Sequence, residues 1–249
     1  MKLQCVYDYL NKIAPFSTQM DFDNAGFLVG DKTLELTKAV VALDVTLGAI
    51  EYAKSIGANL IITHHPVIFN PLKTVLNDSL VYKLIKNNIA VISAHTNLDM
   101  AEGGVNDTLA SVLNLKNVQG VCPLNNCSQA RVGVLQNPLT CDEFAAFLKL
   151  KLNTPIKYVG QKTIKTVGVC SGSGGDLLES MKALGVDAFV TADVKHSMFI
   201  LADTLGLPIF DCGHFNTEDI IVEPLCKQLN NNLLEGYFFP YHSEIIKSV

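Results

Sequence analysis

Short apolar runs bounded by polar residues recur along the chain and alternate with stretches of helical spacing. The N-terminal segment reads as a helix that ends in a turn over 21–26. A strand over 39–43 then leads into a helix over 47–55, closed by Gly57, and a strand over 60–63. A helix over 80–87 and a strand over 90–93 follow. After a weaker stretch the alternation resumes, with a strand over 166–170, a helix over 177–184, a strand over 188–191, a helix over 197–204 and a strand over 208–211. Strand and helix alternating at this spacing predict βαβ units and an α/β fold with largely parallel or mixed sheets. Runs such as 60–62 have no polar face, as expected of strands covered on both sides.

The two halves of the chain resemble each other. Residues 54–63, K-S-I-G-A-N-L-I-I-T, match 182–191, K-A-L-G-V-D-A-F-V-T: a helix end, a glycine cap, a short polar residue, a buried strand and a threonine. His95-Thr-Asn97-Leu-Asp99 matches His214-Phe-Asn216-Thr-Glu218. The second match is the less generic, because it sets hydrophilic residues directly after two buried strands. Both point to an internal duplication and to two similar lobes. The stretch over 114–129, with Gly120, Pro123 and the Asn125-Asn126 pair, is the candidate boundary. It suggests lobes over 1–125 and 126–249, with the C-terminal segment free to pack back on the first.

Composition narrows the class. The chain has 249 residues, 49% hydrophobic and 17% charged, with a mean hydropathy of +0.27. Ordinary soluble domains carry roughly 25% charged residues, so the shortage of polar surface suggests burial against other subunits. Disorder is excluded by the apolar content. No apolar stretch approaches the roughly 18 residues of a membrane helix. Net charge is −5, and Arg131 is the only arginine, a balance that argues against a nucleic-acid binder. Seven cysteines without a C-x-x-C pair fit a reducing, cytoplasmic setting, and the first residues show no signal-peptide core.

Open parallel sheets bind ligands at the C-terminal ends of their strands. Four of the six histidines lie just past such ends: His64 and His65 after one strand, His95 after a second, His214 after a third. His196 follows a fourth. Neighbours in an extended segment point opposite ways, so His64 and His65 would reach two ions more readily than chelate one. Asp99 and Glu218 supply carboxylates at equivalent points of the two repeats, where a bridging carboxylate would offset the repulsion between two cations. The plain alternatives are backbone-bonded strand-end histidines and N-cap acids. His95 reads equally as ligand, as orienter of a ligand, or as proton carrier. A mixed N/O set without thiolate suits Zn, Fe, Mn, Co or Ni and does not choose among them. Two such ions would activate water, which favours hydrolysis. Gly172-Ser173-Gly174-Gly175 follows a strand and opens a helix, so its amides offer a phosphate site; a tight βα turn is the alternative. Leu177 and Ser171 rule out a dinucleotide fingerprint and a G-x-S-x-G elbow respectively.

Taken together, the motifs resemble a known family. They are Phe22-Asp-Asn-Ala-Gly-Phe-Leu-Val-Gly30, Thr63-His-His-Pro66, His95-Thr-Asn-Leu-Asp99, Gly103-Gly-Val-Asn-Asp107, Gly172-Ser-Gly-Gly175, Thr191-Ala-Asp193 and Asp211-Cys-Gly-His214 with Glu218. In this order they resemble the Nif-three-like dinuclear metal proteins, also known as GTP cyclohydrolase 1 type 2 homologues. The resemblance implies two similar lobes with a two-metal site in the cleft between them, and a toroidal homohexamer. By position, His64, Asp99 and Glu218 would hold one divalent ion, and His65, His214 and Glu218 the other. It also implies conversion of GTP to formate and dihydroneopterin triphosphate, with His95 as proton carrier and the Gly172–Gly175 amides on phosphate. A phosphoesterase of another substrate, or a metal-stabilised binding or regulatory module, are the rival functions. Phe22, Phe27 and Ala192 depart from the family's usual Trp, Leu and Gly, which touches substrate-facing details and not the ligands. The roles of Asp193 and His196 stay open.

Overall fold

Side chains that are apolar on every face commit a strand to the middle of a sheet, and three such strands organise the N-terminal part of this chain. The computed structural model describes residues 1–246, which divide into two units. The first unit contains Met1–Ala101. It opens with α1 (Leu3–Ile13), which buries Leu3, Val6 and Leu10, a stripe at helical spacing. Next come β1 (Gly26–Val29), β2 (Ala39–Ala42), α2 (Leu47–Ile56), β3 (Leu60–Thr63), α3 (Leu80–Lys86), β4 (Ala90–Ser93) and the one-turn α4 (Thr96–Met100). Every residue of β2, β3 and β4 is buried. Helix α2 starts where the Thr46 side chain accepts from the Ala49 amide, and it stops at Gly57, whose φ of 71° is left-handed.

The second unit spans Glu102–Ile220. It holds α5 (Val105–Val112), the long hairpin of β5 (Lys116–Leu124) and β6 (Cys127–Thr140), α6 (Cys141–Leu152), β7 (Lys157–Val159), β8 (Thr163–Val169), α7 (Leu178–Ala183), β9 (Ala188–Thr191), α8 (His196–Leu205), β10 (Ile209–Asp211) and the one-turn α9 (His214–Glu218). Asn125 and Asn126, at φ 50° and 63°, turn the hairpin, because two left-handed residues match the twist of the paired strands. Thr140 and Glu143 form a reciprocal capping box at the start of α6.

From Ile221 the chain returns to the first unit, adding α10 (Val222–Asn232) and β11 (Phe238–Tyr241). The first unit's sheet then runs β1-β4-β3-β2-β11, parallel throughout except for antiparallel β1. The second runs β5-β6-β8-β9-β10-β7, with β8, β9 and β10 parallel and the flanking pairs antiparallel. The fold is therefore α/β with two mixed sheets, each parallel at its centre. The matched segments take the same form in both units: α2, Gly57 and β3 in one, α7, Gly185 and β9 in the other, with Gly185 at φ 72°.

No helix among the described residues is long and apolar enough to cross a membrane.

Candidate metal centre

In the first unit the chain leaves β3 directly into His64 and His65. The turn is held by the Thr63 hydroxyl, which donates to the His65 carbonyl at 2.8 Å. It is also held by the backbone, as the amides of His64 and His65 donate to Ala42 and Leu43 at 3.3 and 3.0 Å. An extended chain would turn the two rings apart; this bend brings their centroids to 5.1 Å. His95, which follows β4, sits 5.1 Å from His64 and 5.5 Å from His65, ring to ring. The three imidazoles offer ligand nitrogens within 4.8 Å of one another.

Each ring is aimed by a partner on Nδ1. His64 Nδ1 lies 2.9 Å from the Ala94 carbonyl, His65 Nδ1 lies 2.8 Å from Asp44 Oδ1, and His95 Nδ1 lies 2.8 Å from Asp23 Oδ1. Carbonyl and carboxylate oxygens only accept, so the proton belongs on Nδ1 and the lone pair on Nε2. His64 is 2% exposed, and its Nε2 is 3.4 Å from Asp99 Oδ1 on α4. Burial pushes the Asp23 carboxyl upward, but hydrogen bonds from His95 and Thr96 outweigh it and hold the pKa down at about 2.

The second unit repeats the arrangement with one histidine. His214 opens α9, and its Nδ1 lies 2.7 Å from Asp193 Oδ2. Four residues on, the same helical turn brings Glu218 back beneath it, with Oε2 at 2.9 Å from His214 Nε2. Glu218 is 3% exposed. Asp193 reaches the ring from a left-handed backbone, φ 51°. Gly172, at φ 58°, forms the wall against the carboxylate: a β-carbon there would collide with Glu218 and lie 3.3 Å from His214 Nε2. This wall is anchored by Asn106, whose Oδ1 accepts from the Ser171 amide at 2.7 Å.

A scan against known families matches residues 1–245 to Duf34/NIF3 (NGG1p interacting factor 3). The chain belongs to this family. It is similar to a Clostridium perfringens protein named GTP cyclohydrolase 1 type 2 homolog, 36% identical over 228 residues that cover 88% of this chain and 87% of the relative. A relative of the same name from Methanocaldococcus jannaschii is 31% identical, covering 94% and 96%. Among solved structures, Staphylococcus aureus hypothetical protein SA1388 superimposes with a TM-score of 0.92 at 28% identity, over 100% of this chain and 99% of that one. Reduced HcgD from Methanocaldococcus jannaschii gives 0.84 at 29%, over 96% and 97%.

In this Duf34/NIF3 chain the donor chemistry fits a metal ion. Imidazole nitrogens and carboxylate oxygens converge within each unit, and histidines that bind metals characteristically donate their other N–H to a carboxylate or carbonyl. All four histidines do so.

The structure also gives roles that the sequence does not assign. Asp23, Asp44 and Asp193 hold the rings, and Gly172 makes room for Glu218. A signal was present, since Asp44 lies two residues past β2 and Asp193 two past β9, just as the histidines follow their own strands. The glycine segment serves a different end from phosphate binding in at least two of its amides: Gly172 donates to Thr217 Oγ1 at 3.1 Å and Gly174 to Thr191 Oγ1 at 2.9 Å. His196 lies exposed at the start of α8.

Proposed function

We propose that the chain is a hydrolase working with two divalent metal ions, one held by His64, Asp99 and Glu218, the other by His65, His214 and Glu218. The observation that carries this reading is the aim of His64, His65 and His214, each with Nδ1 set against a carbonyl or carboxylate oxygen, which leaves Nε2 as the nitrogen for a metal. The ions would polarise the group under attack and make a coordinated water acidic near neutrality. Zn, Fe, Mn, Co and Ni all suit the set.

The substrate proposed is GTP, which with water gives formate and dihydroneopterin triphosphate. The relatives' name supports it. His95 takes and returns the proton at Nε2, because Asp23 keeps the other nitrogen protonated. With Gly172 and Gly174 committed to threonine hydroxyls, phosphate binding in the glycine loop rests on the amides of Ser173 and Gly175. The low charged fraction, 17%, supports burial against other copies of the chain, for which a homohexamer is proposed, and the seven free cysteines support a cytoplasmic setting.

The test is metal-restored protein incubated with GTP, with Glu218→Ala as control. Formate and a fluorescent pterin should appear at a rate well above the control. Turnover of other phosphoesters and none of GTP would move the substrate assignment. No turnover of any nucleotide or phosphoester would leave a metal-stabilised binding module, a reading that the exposed apolar residues Leu72, Val75 and Leu76 favour.

A further inference from the structure

We propose that Phe22 and Phe69 form a stacking platform for a planar aromatic heterocycle, a purine- or pterin-like ring. Both side chains are exposed, 63% for Phe22 and 44% for Phe69, although phenylalanine is a residue that folding normally buries. Their centroids are 6.3 Å apart with the ring planes inclined by 49°, so the two rings open as a V. Phe69 in turn meets His95 edge to face, 6.3 Å between centroids at 81°. His95 is the ring that contacts both His64 and His65.

The rings are exposed, yet the backbone beneath them is pinned. Asp23, next to Phe22, accepts from His95 Nδ1, from the Thr96 amide at 3.0 Å and from the Thr96 hydroxyl at 2.5 Å. Asn24 donates through Nδ2 to the Ile68 carbonyl, next to Phe69, at 2.6 Å. Consecutive residues of one loop therefore fix Phe22, Phe69 and His95 relative to one another. A ligand that stacks here meets surfaces already in place and loses little affinity to ordering them. A flat π-system gains most from such a pair, stacking on one face while its edge meets the other ring. Phe69 meets His95, so a ring stacked on Phe69 is delivered beside the imidazole cluster.

This inference rests on the reading of that cluster as a reaction site, and its test is a binding measurement that needs no turnover. The probes are guanosine, pterin and ribose 5-phosphate, followed by saturation-transfer NMR and calorimetry on the full metal-loaded chain. Guanosine and pterin should bind, with saturation strongest at their ring protons, and ribose 5-phosphate should not match them. Phe22→Ala and Phe69→Ala should each weaken ring binding by roughly fivefold to a hundredfold at unchanged metal content. Phe22→Leu, which keeps apolar bulk without a π-face, should weaken it as alanine does, and Phe22→Trp should preserve it.

Ring binding equal to wild type in Phe22→Leu and Phe69→Ala overturns the proposal. So does the absence of any ring binding. A change in sedimentation in the alanine variants with ring binding intact also overturns it, since the patch would then face another copy of the chain. Ring binding without GTP turnover would sink the proposed reaction and leave the platform standing. Turnover with unaltered KM in both alanine variants would do the reverse.

Discussion

Gly172 stands against the carboxylate of Glu218, in a space that no β-carbon can share. Two costs follow for Gly172→Ala. The left-handed backbone, φ 58°, strains any L-residue, and the new methyl must push Glu218 away from His214. The variant should lose roughly 1–3 kcal/mol of stability and most of its metal. Gly185→Ala is the control, because Gly185 has φ 72° and nothing within 4 Å of an added β-carbon. It should be destabilised with metal content intact. Equal metal content in the two variants would show that the Gly172–Glu218 packing has no bearing on metal binding.

The aspartates behind the histidines should matter nearly as much as the ligands. Asp44→Ala removes the acceptor at His65 Nδ1, and Asp193→Ala the acceptor at His214 Nδ1. Each should weaken metal affinity by roughly 10- to 100-fold, measured by competition with a chromophoric chelator. The far-UV circular dichroism should not change.

Asp23 makes a prediction about pH. Its folded pKa of about 2 lies below the ordinary aspartate value of 3.8, so folding favours the carboxylate. That stability is fully present above about pH 4 and is lost as pH falls through about 2. Asp23→Ala should therefore cost about 2 kcal/mol near neutrality, and urea unfolding should show the gap to wild type closing between about pH 4 and 2. A gap that does not depend on pH would mean that Asp23 contributes by packing alone.

The chain's one arginine is spent on structure. Arg131, 5% exposed, pairs through Nε with Asp107 and donates through a terminal nitrogen to the Ser128 carbonyl at 2.8 Å. Asp107→Ala removes the carboxylate paired with a buried guanidinium and should cost roughly 3–5 kcal/mol by urea denaturation. Arg131→Met should cost less, since it removes the charge along with the pairing.

The parallel centres of both sheets were legible because β2, β3, β4 and β9 are short apolar runs that nothing but a two-sided burial explains. The paired H-x-N-x-[D/E] motifs were legible for the same reason, and their asparagines prove to share a role. Asn97 donates to the Ala14 carbonyl at 2.7 Å and Asn216 to the Leu152 carbonyl at 3.2 Å, each tying a one-turn helix to the end of an earlier helix. The long hairpin was not legible. Asn125-Asn126 marks a break, but the same left-handed residues serve whether the chain turns within a sheet or passes between units. Nothing at Ala101–Glu102 distinguishes that crossing from any other loop. Strand β11 was missed because Phe238–Tyr241 contains a proline, which suits only the sheet edge it occupies. The four strand-end histidines could be read from position alone, while the contacts of Asp23, Asp44 and Asp193 needed distances.

The decisive measurement is metal stoichiometry. Purified chain, reconstituted with a divalent metal and desalted, should carry two ions per chain by elemental mass spectrometry. His65→Ala should lose one, and Glu218→Ala should lose both or nearly so, as expected of a bridge. Metal content unchanged from wild type in both variants would contradict the account.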